Sequence, residues 1–302
     1  MCNILANSGF RITDSCPSAF FRALSNLGSF SEKIAIFFSH TNAEGNVYQA
    51  TFLSLFQEVK ELFVLRYLPD HFEDFFEQGR LIKKTKVKYL NSFYFGDIAE
   101  ITLKVKKWSQ QHRTEFGGDG FILEARFQGP RGLHTIIEQW IAFESSVPHM
   151  YTYNPITSGD FPYILLVTSP YVDCYGHLSV SKIAELFGAT REKLAVGFFS
   201  GFVEDVKRAK YSLVTRNANY NYYKPVFRGQ KLYIQMRVLG MGRTKASFIL
   251  QADYTTKDLQ NKAKEIINIS AEQEIVYVNN KGEVENLPEK LMAMVSFASG
   301  QN

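Results

Sequence analysis

The chain has 302 residues, 45% apolar and 21% charged, enough for a large core and more than one ordinary small domain requires. Thirty-four Lys plus Arg against 30 Asp plus Glu leave a net charge of +4, too thin a surplus to mark a nucleic-acid binder. The cysteines Cys2, Cys16 and Cys174 form no paired motif, the histidines show no ligand spacing, and no apolar run approaches the roughly 18 residues of a membrane span. These features, with no basic start and apolar signal core at the N-terminus, predict a cytoplasmic protein in a reducing compartment, with no metal and no membrane.

Residues 1–32 read as an N-terminal extension in which Ala19, Phe20, Phe21, Leu24 and Leu27 suit one short amphipathic helix. Lys33 to His40 reads as a strand, followed by a Gly/Asn loop. Tyr48 to Leu68 carries Phe52, Leu55, Phe56, Val59 and Phe63 at helical spacing, and Pro69 ends it. Four strand-like runs follow, Leu81 to Tyr94, Ile98 to Trp108, Phe121 to Phe127 and His134 to Phe143. A linker over 147–161 contains Pro148, Pro155 and Gly159. The same order then returns: a strand in PYILLVTSP, a helix within Leu178 to Arg208, and strands over Tyr211 to Tyr223, Lys231 to Leu239, Lys245 to Thr255 and Ala271 to Asn279. The polar stretch Lys257 to Asn268 reads as an excursion with weak helical character, and 293–302 as a tail.

The recurrence is visible residue by residue. TNAEGNVYQATFLSLFQEVKEL meets VDCYGHLSVSKIAELFGATREKL at an offset of 131, which puts Asn42 on Asp173, Gly45 on Gly176, Phe56 on Phe187 and Lys60 on Arg191. Gly96 meets Gly229 at offset 133, and FILEARF from Phe121 meets FILQADY from Phe248 at offset 127. A long helix followed by antiparallel strands packs economically when the sheet curls round the helix. The chain is therefore expected to be α+β, with two repeats over 33–146 and 162–292 whose sheets pair.

Asp173-Cys174-Tyr175-Gly176-His177 resembles the D-x-x-G-H loop at the head of the central helix in hotdog-fold thioesterases of the 4-hydroxybenzoyl-CoA type. Ala271 to Leu291 is similar to the closing strand and Pro-containing tail of that family. TNAEGNVY in the first repeat resembles the T-N-x-x-G-N-V-Y segment of the thioesterases that release polyenes in enediyne polyketide biosynthesis. The resemblance implies a double hotdog that hydrolyses an acyl thioester of coenzyme A or an acyl carrier protein. It implies no cofactor beyond the coenzyme A or phosphopantetheine of the substrate, and leaves a homo-oligomer open. It assigns Asp173, as general base or nucleophile, with Gly176, His177 and Arg191 to catalysis, and Asn42, Gly45, Asn46, Tyr48 and Lys60 to substrate binding.

The chemistry of these residue types fits that assignment. A helix start offers unpaired amides that polarise a carbonyl, and a glycine there permits close approach. The alternative for Asp173 is an N-cap carboxylate satisfying the same amides. Asn42 is an amide and cannot serve as a base, so the expectation is asymmetric: the second loop hydrolyses, and the first binds substrate or is structural. Arg191 lies five turns beyond Asp173 if the helix is unbroken, although Gly188 and Thr190 count against continuity. Arg208, Lys210, Arg216, Arg228, Lys231 and Arg243 are candidate contacts for an anionic carrier, in keeping with the whole +4 lying in 151–302. A 3-hydroxyacyl thioester dehydratase and a non-catalytic acyl-binding scaffold of a biosynthetic assembly line are the rival functions.

Overall fold

The first repeat opens with β1 (Ser29–Ala35), whose Ile34 and Ala35 pair with Ala99 and Ile98 of β3 (Ile98–Lys107). The computed structural model describes residues 28–41, 47–67, 82–116, 118–142, 161–172, 177–198, 212–257, 265–279 and 283–300. The helix expected within 19–27 and the linker over 147–160 lie outside the described residues. After β1 the chain makes a 3-10 turn at Phe38–His40 where a continuing strand was expected, and then enters α1 (Gln49–Tyr67). The strands β2 (Ile82–Tyr89), β4 (Gly120–Gly129) and β5 (Gly132–Ala142) complete this half.

The second half repeats the plan with β6 (Phe161–Leu166), a 3-10 turn at Ser169–Tyr171, and α3 (Val180–Phe198). Its sheet contains β7 (Ser212–Tyr222), β8 (Lys231–Met241), β9 (Ser247–Lys257) and β10 (Glu265–Val278), with the short β11 (Val284–Glu285) on β10. The helices α1 and α3 each have 19 residues and start 131 positions apart. Glu265 to Asn268, expected in a helical excursion, is instead the first part of β10, paired with β9. The alternation Ile266, Asn268 against Ile267, Ile269 lies within an Ile-rich run, and β-branched residues favour a strand where neighbours can pair.

One antiparallel sheet of eleven strands joins the halves in the order β1-β3-β4-β5-β2-β7-β10-β9-β8-β6. The order is a palindrome about the contact of β2 with β7. Lys86 pairs with its own counterpart Asn219, and Thr85↔Tyr220 and Val87↔Ala218 are related by the exchange of halves, so a pseudo-twofold axis passes through Lys86 and Asn219. Equivalent turns share the same backbone bonds: Val47 N–H to Phe93 O and Leu178 N–H to Val226 O, and Gly96 N–H to Ile36 O and Gly229 N–H to Val167 O. Gly96 and Gly229 both hold φ near +87°, at 86° and 88°, a region that L side chains avoid.

The helices lie within the curl of the sheet and touch each other. Buried between a sheet and a second helix, α1 is apolar round much of its girth, with Phe52, Leu53, Leu55, Phe56, Val59, Phe63 and Val64 all buried. Each fully buried aromatic or aliphatic side chain contributes roughly 1.5–3 kcal/mol. The first half has a further layer that the sequence reading did not foresee. The helix α2 (Gln110–Phe116) covers the outer face of the sheet and closes a small core of Trp108, Phe116, Ile122, Trp140 and Ala142. A terminal helix α4 (Glu289–Ala298) buries Leu291 and Val295.

Candidate active site at the seam

Two loops lead into the central helices, and both are closed by a bridge at the same place, Thr41 with Val47 and Val172 with Leu178. Asn42, Gly45, Asn46, Asp173 and Gly176 lie in these loops, outside the described residues. His177, where the second loop re-enters, bridges Phe227 through the backbone and sets its ring edge-on to the Phe227 ring at 4.9 Å.

Tyr48 caps the head of α1 and reaches across to the other repeat. Its hydroxyl lies against Gly188, in the middle of α3. Burial raises the Tyr48 hydroxyl pKa above its usual value, against the opposing influence of Arg191. Arg191 also opposes, electrostatically, the rise that burial imposes on the hydroxyl pKa of Tyr89 of β2. Contrary to the doubt raised by Gly188 and Thr190, α3 is continuous, and Thr190 returns its hydroxyl to Leu186 O at 2.8 Å. Arg191 nevertheless stands eleven residues beyond Val180, about 16 Å along the helix from its own loop.

Arg191 Nη1 donates to Thr215 Oγ1 at 2.9 Å, Thr215 donates to Gln273 Oε1 at 3.0 Å, and Gln273 Nε2 donates to Tyr220 Oη at 3.2 Å. Burial drives the Tyr220 hydroxyl far above its ordinary pKa, so it stays neutral. Lys60, the counterpart of Arg191, is 3% exposed. Its Nζ donates to Gln139 Oε1 at 3.1 Å, and Gln139 Nε2 donates to Thr85 Oγ1 at 3.2 Å. Gln139 and Gln273 occupy equivalent positions on β5 and β10, opposite Thr85 and Ala218. Lys60 thus binds its buried glutamine directly, whereas Arg191 reaches Gln273 through Thr215. By the repeat, Ser179 and Lys60 are the counterparts of Tyr48 and Arg191.

Gln139, Gln273, Thr215, Tyr89 and Tyr220 are not singled out by the sequence, although Glu138-Gln139 and Glu272-Gln273 recur within the repeat. Among the described residues no group of three His, Cys, Asp or Glu side chains is placed to hold a metal ion. No helix among them is long and apolar enough to cross a membrane.

This architecture, two antiparallel sheets each curled round a long helix and joined edge to edge, is a double hotdog of the α+β class. Residues 167–295 match the profile of the thioesterase-like superfamily. Comparison with curated proteins by sequence returned no match. Among solved structures, the chain is similar to the 12:0-ACP thioesterase of Umbellularia californica (TM-score 0.56, 12% identity, 82% of this chain and 93% of that one). It is also similar to a protein of Lactobacillus plantarum described as an oleoyl thioesterase (TM-score 0.58, 11% identity, 87% and 98%). At these identities the likeness establishes the fold.

Proposed function

We propose that the protein hydrolyses an acyl thioester in the seam between its repeats, with the Asp173 loop as the working site. The observation that carries this reading is the crossing of the seam: the helix head of one repeat reaches the central helix of the other, with the Tyr48 hydroxyl against Gly188. A carbonyl held at the equivalent head of α3, beside the Asp173 loop, meets unpaired helix-start amides, with Lys60 as the proposed positive charge. Water then attacks the carbonyl carbon while the Asp173 carboxylate takes its proton. The oxyanion collapses, the carbon–sulfur bond breaks, and the thiolate recovers a proton to leave as free thiol beside the carboxylic acid. His177, at the end of the same loop, orients water or the thioester, and Lys60 faces the developing negative charge. Asn42 lacks a basic atom, so the first seam holds substrate without hydrolysing it.

The match over 167–295 covers the repeat that contains Asp173, which supports this asymmetry. The relative from Umbellularia californica acts, by its name, on a 12:0-ACP thioester. For this chain the proposed substrate is an acyl group on coenzyme A or an acyl carrier protein, in cytoplasmic fatty-acid or polyketide metabolism. The test is thiol release from a panel of acyl thioesters by wild type, Asp173→Asn and Asn42→Ala. Loss of at least about 100-fold in kcat with Asp173→Asn, and retention with Asn42→Ala, is the expected outcome. The opposite pattern would overturn the assignment, and dehydration of a 3-hydroxyacyl thioester without thiol release would replace the reaction.

A further inference from the structure

The two connections that rim the loops have the same backbone and opposite character. In the first repeat, residues 90–98 contain one charged side chain, Asp97. In the second, residues 223–231 contain three, Lys224, Arg228 and Lys231, all basic. Position by position, Lys224 replaces Asn91, Arg228 replaces Phe95, Gln230 replaces Asp97 and Lys231 replaces Ile98.

The turn itself does not require this charge. Asp97 Oδ2 accepts from Tyr94 N–H at 2.8 Å, and Gln230 Oε1 accepts from Phe227 N–H at 2.7 Å, so either acceptor closes it. Ile36 N–H to Asp97 O and Val167 N–H to Gln230 O, at 2.8 and 2.9 Å, dock the two turns identically. Arg131 neutralises Asp97 in the first rim. The first rim is otherwise apolar and open, with Phe38, Phe95 and Ile98 71%, 60% and 56% exposed. In the second rim all three cations are exposed, and among the described residues none of them is in an ion pair. Phe227, between Lys224 and Arg228, is the residue that bridges His177 at the end of the Asp173 loop.

We propose that Lys224, Arg228 and Lys231 form a phosphate-binding rim for the carrier end of the thioester, admitting substrate to the Asp173 side of the seam. This rests on the thioesterase reading and adds the direction of entry and the residues that select it. A phosphate ester is common to coenzyme A and to the phosphopantetheine arm of a carrier protein, and either presents the charge that three exposed cations attract. At the rim of the first repeat Arg131 is already paired with Asp97.

The experiment compares wild type with K224Q/R228Q/K231Q on three donors of one acyl group: its coenzyme A thioester, its carrier-protein thioester and its phosphate-free N-acetylcysteamine thioester. The variant K33Q/K88Q/K104Q, which removes three exposed cations elsewhere, controls for net charge. The expected result is a rise in KM of about tenfold with kcat retained on a phosphate-bearing donor, and no change on the phosphate-free one. A rise on coenzyme A alone assigns the nucleotide phosphates, and a rise on the carrier alone assigns the prosthetic arm. Equal KM on all donors, or an equal loss on the phosphate-free thioester, overturns the proposal. Should wild type release thiol from no donor, the thioesterase reading fails. Calorimetric binding of coenzyme A and of holo-carrier protein then decides this proposal separately: loss in the triple variant supports it, and equal or absent binding refutes it.

Discussion

The Tyr48 hydroxyl stands so close to α3 that a Cβ built on Gly188 would lie 2.1 Å from it. No real structure tolerates that separation, so the glycine is the seat on which the first repeat's helix head crosses to the second. Alanine is normally the better residue inside a helix, by about 1 kcal/mol. Gly188→Ala is therefore expected to destabilise the protein while Tyr48 is present, and to stabilise it by roughly 0.5–1 kcal/mol in a Tyr48→Ala background. Urea unfolding of the four proteins measures the change of sign. Equal effects in both backgrounds would show that the contact does not constrain α3.

The crossed seam also separates the roles of its two cations. In the proposed mechanism Lys60 serves the Asp173 loop and Arg191 the other, so hydrolysis at the Asp173 loop is expected to depend on the lysine. Lys60→Met keeps the buried stem and removes the charge, and is expected to lower kcat/KM by about 100-fold, as loss of one oxyanion donor does. Lys60→Arg restores part of it, since the positive charge remains. Arg191→Met lowers kcat/KM by less than tenfold on the same donor. Steady-state kinetics on one thioester checks the order, and a greater loss at Arg191 would move the working site to the Asn42 loop.

The repeat, the two long helices and most strands were legible because one face of each must be buried, and burial writes a periodicity into the sequence. Even the drift of the offset held information. Its fall from 133 at Gly96 to 127 at Phe121 marks extra residues in the first repeat, and α2 lies in that interval. The reach of Tyr48 onto Gly188 was not legible. Spacing along one helix relates Arg191 to its own loop, whereas Tyr48 reaches Gly188 of the other repeat across the pseudo-twofold axis through Lys86 and Asn219. Contacts across such an axis depend on how two elements pack, and no single segment encodes that.

On the outer face, Glu124 lies nearly buried between two cations, accepting from Arg126 Nε at 2.9 Å and from Lys106 Nζ. Burial pushes its carboxyl up, but the hydrogen bonds and charges of Lys106 and Arg126 outweigh burial and hold it below the usual 4.5. A carboxyl depressed on folding adds stability above its unfolded pKa, and that stability is lost as pH falls through the folded value. Glu124→Gln is expected to cost about 1–2 kcal/mol at pH 7 and to shrink the difference from wild type as pH drops below 4.5. Thermal melts across pH 2.5 to 7, in steps of about half a unit, would show it. A gap independent of pH would assign the loss to packing.

His134 and Asn268 hold equivalent places with different chemistry. Asn268 accepts from Thr256 Oγ1 at 2.9 Å and donates to Pro225 O at 3.2 Å. His134 is fully buried and stacks on Phe93 at 3.8 Å and 14°, over Gly129, where a Cβ would stand 2.3 Å from the Phe93 ring. Phe93, Gly129 and His134 in the first repeat thus correspond to Val226, Thr256 and Asn268 in the second, a ring stack exchanged for a hydrogen-bonded pair. Burial, helped by Arg131, pushes the His134 pKa below its ordinary 6.5. The ring is neutral in the fold, so its contribution is complete above pH 6.5 and is lost as pH falls through the folded value. His134→Asn alone is expected to cost about 2 kcal/mol, because it leaves a gap beside Phe93 and a new amide without its threonine. The triple exchange F93V/G129T/H134N installs the whole set of the second repeat and recovers most of that loss, with no stability change tied to histidine titration. Denaturant midpoints at pH 5 and pH 8 for wild type, the single variant and the triple variant measure both effects, and a triple variant weaker than the single one would show that the two halves do not share this packing solution.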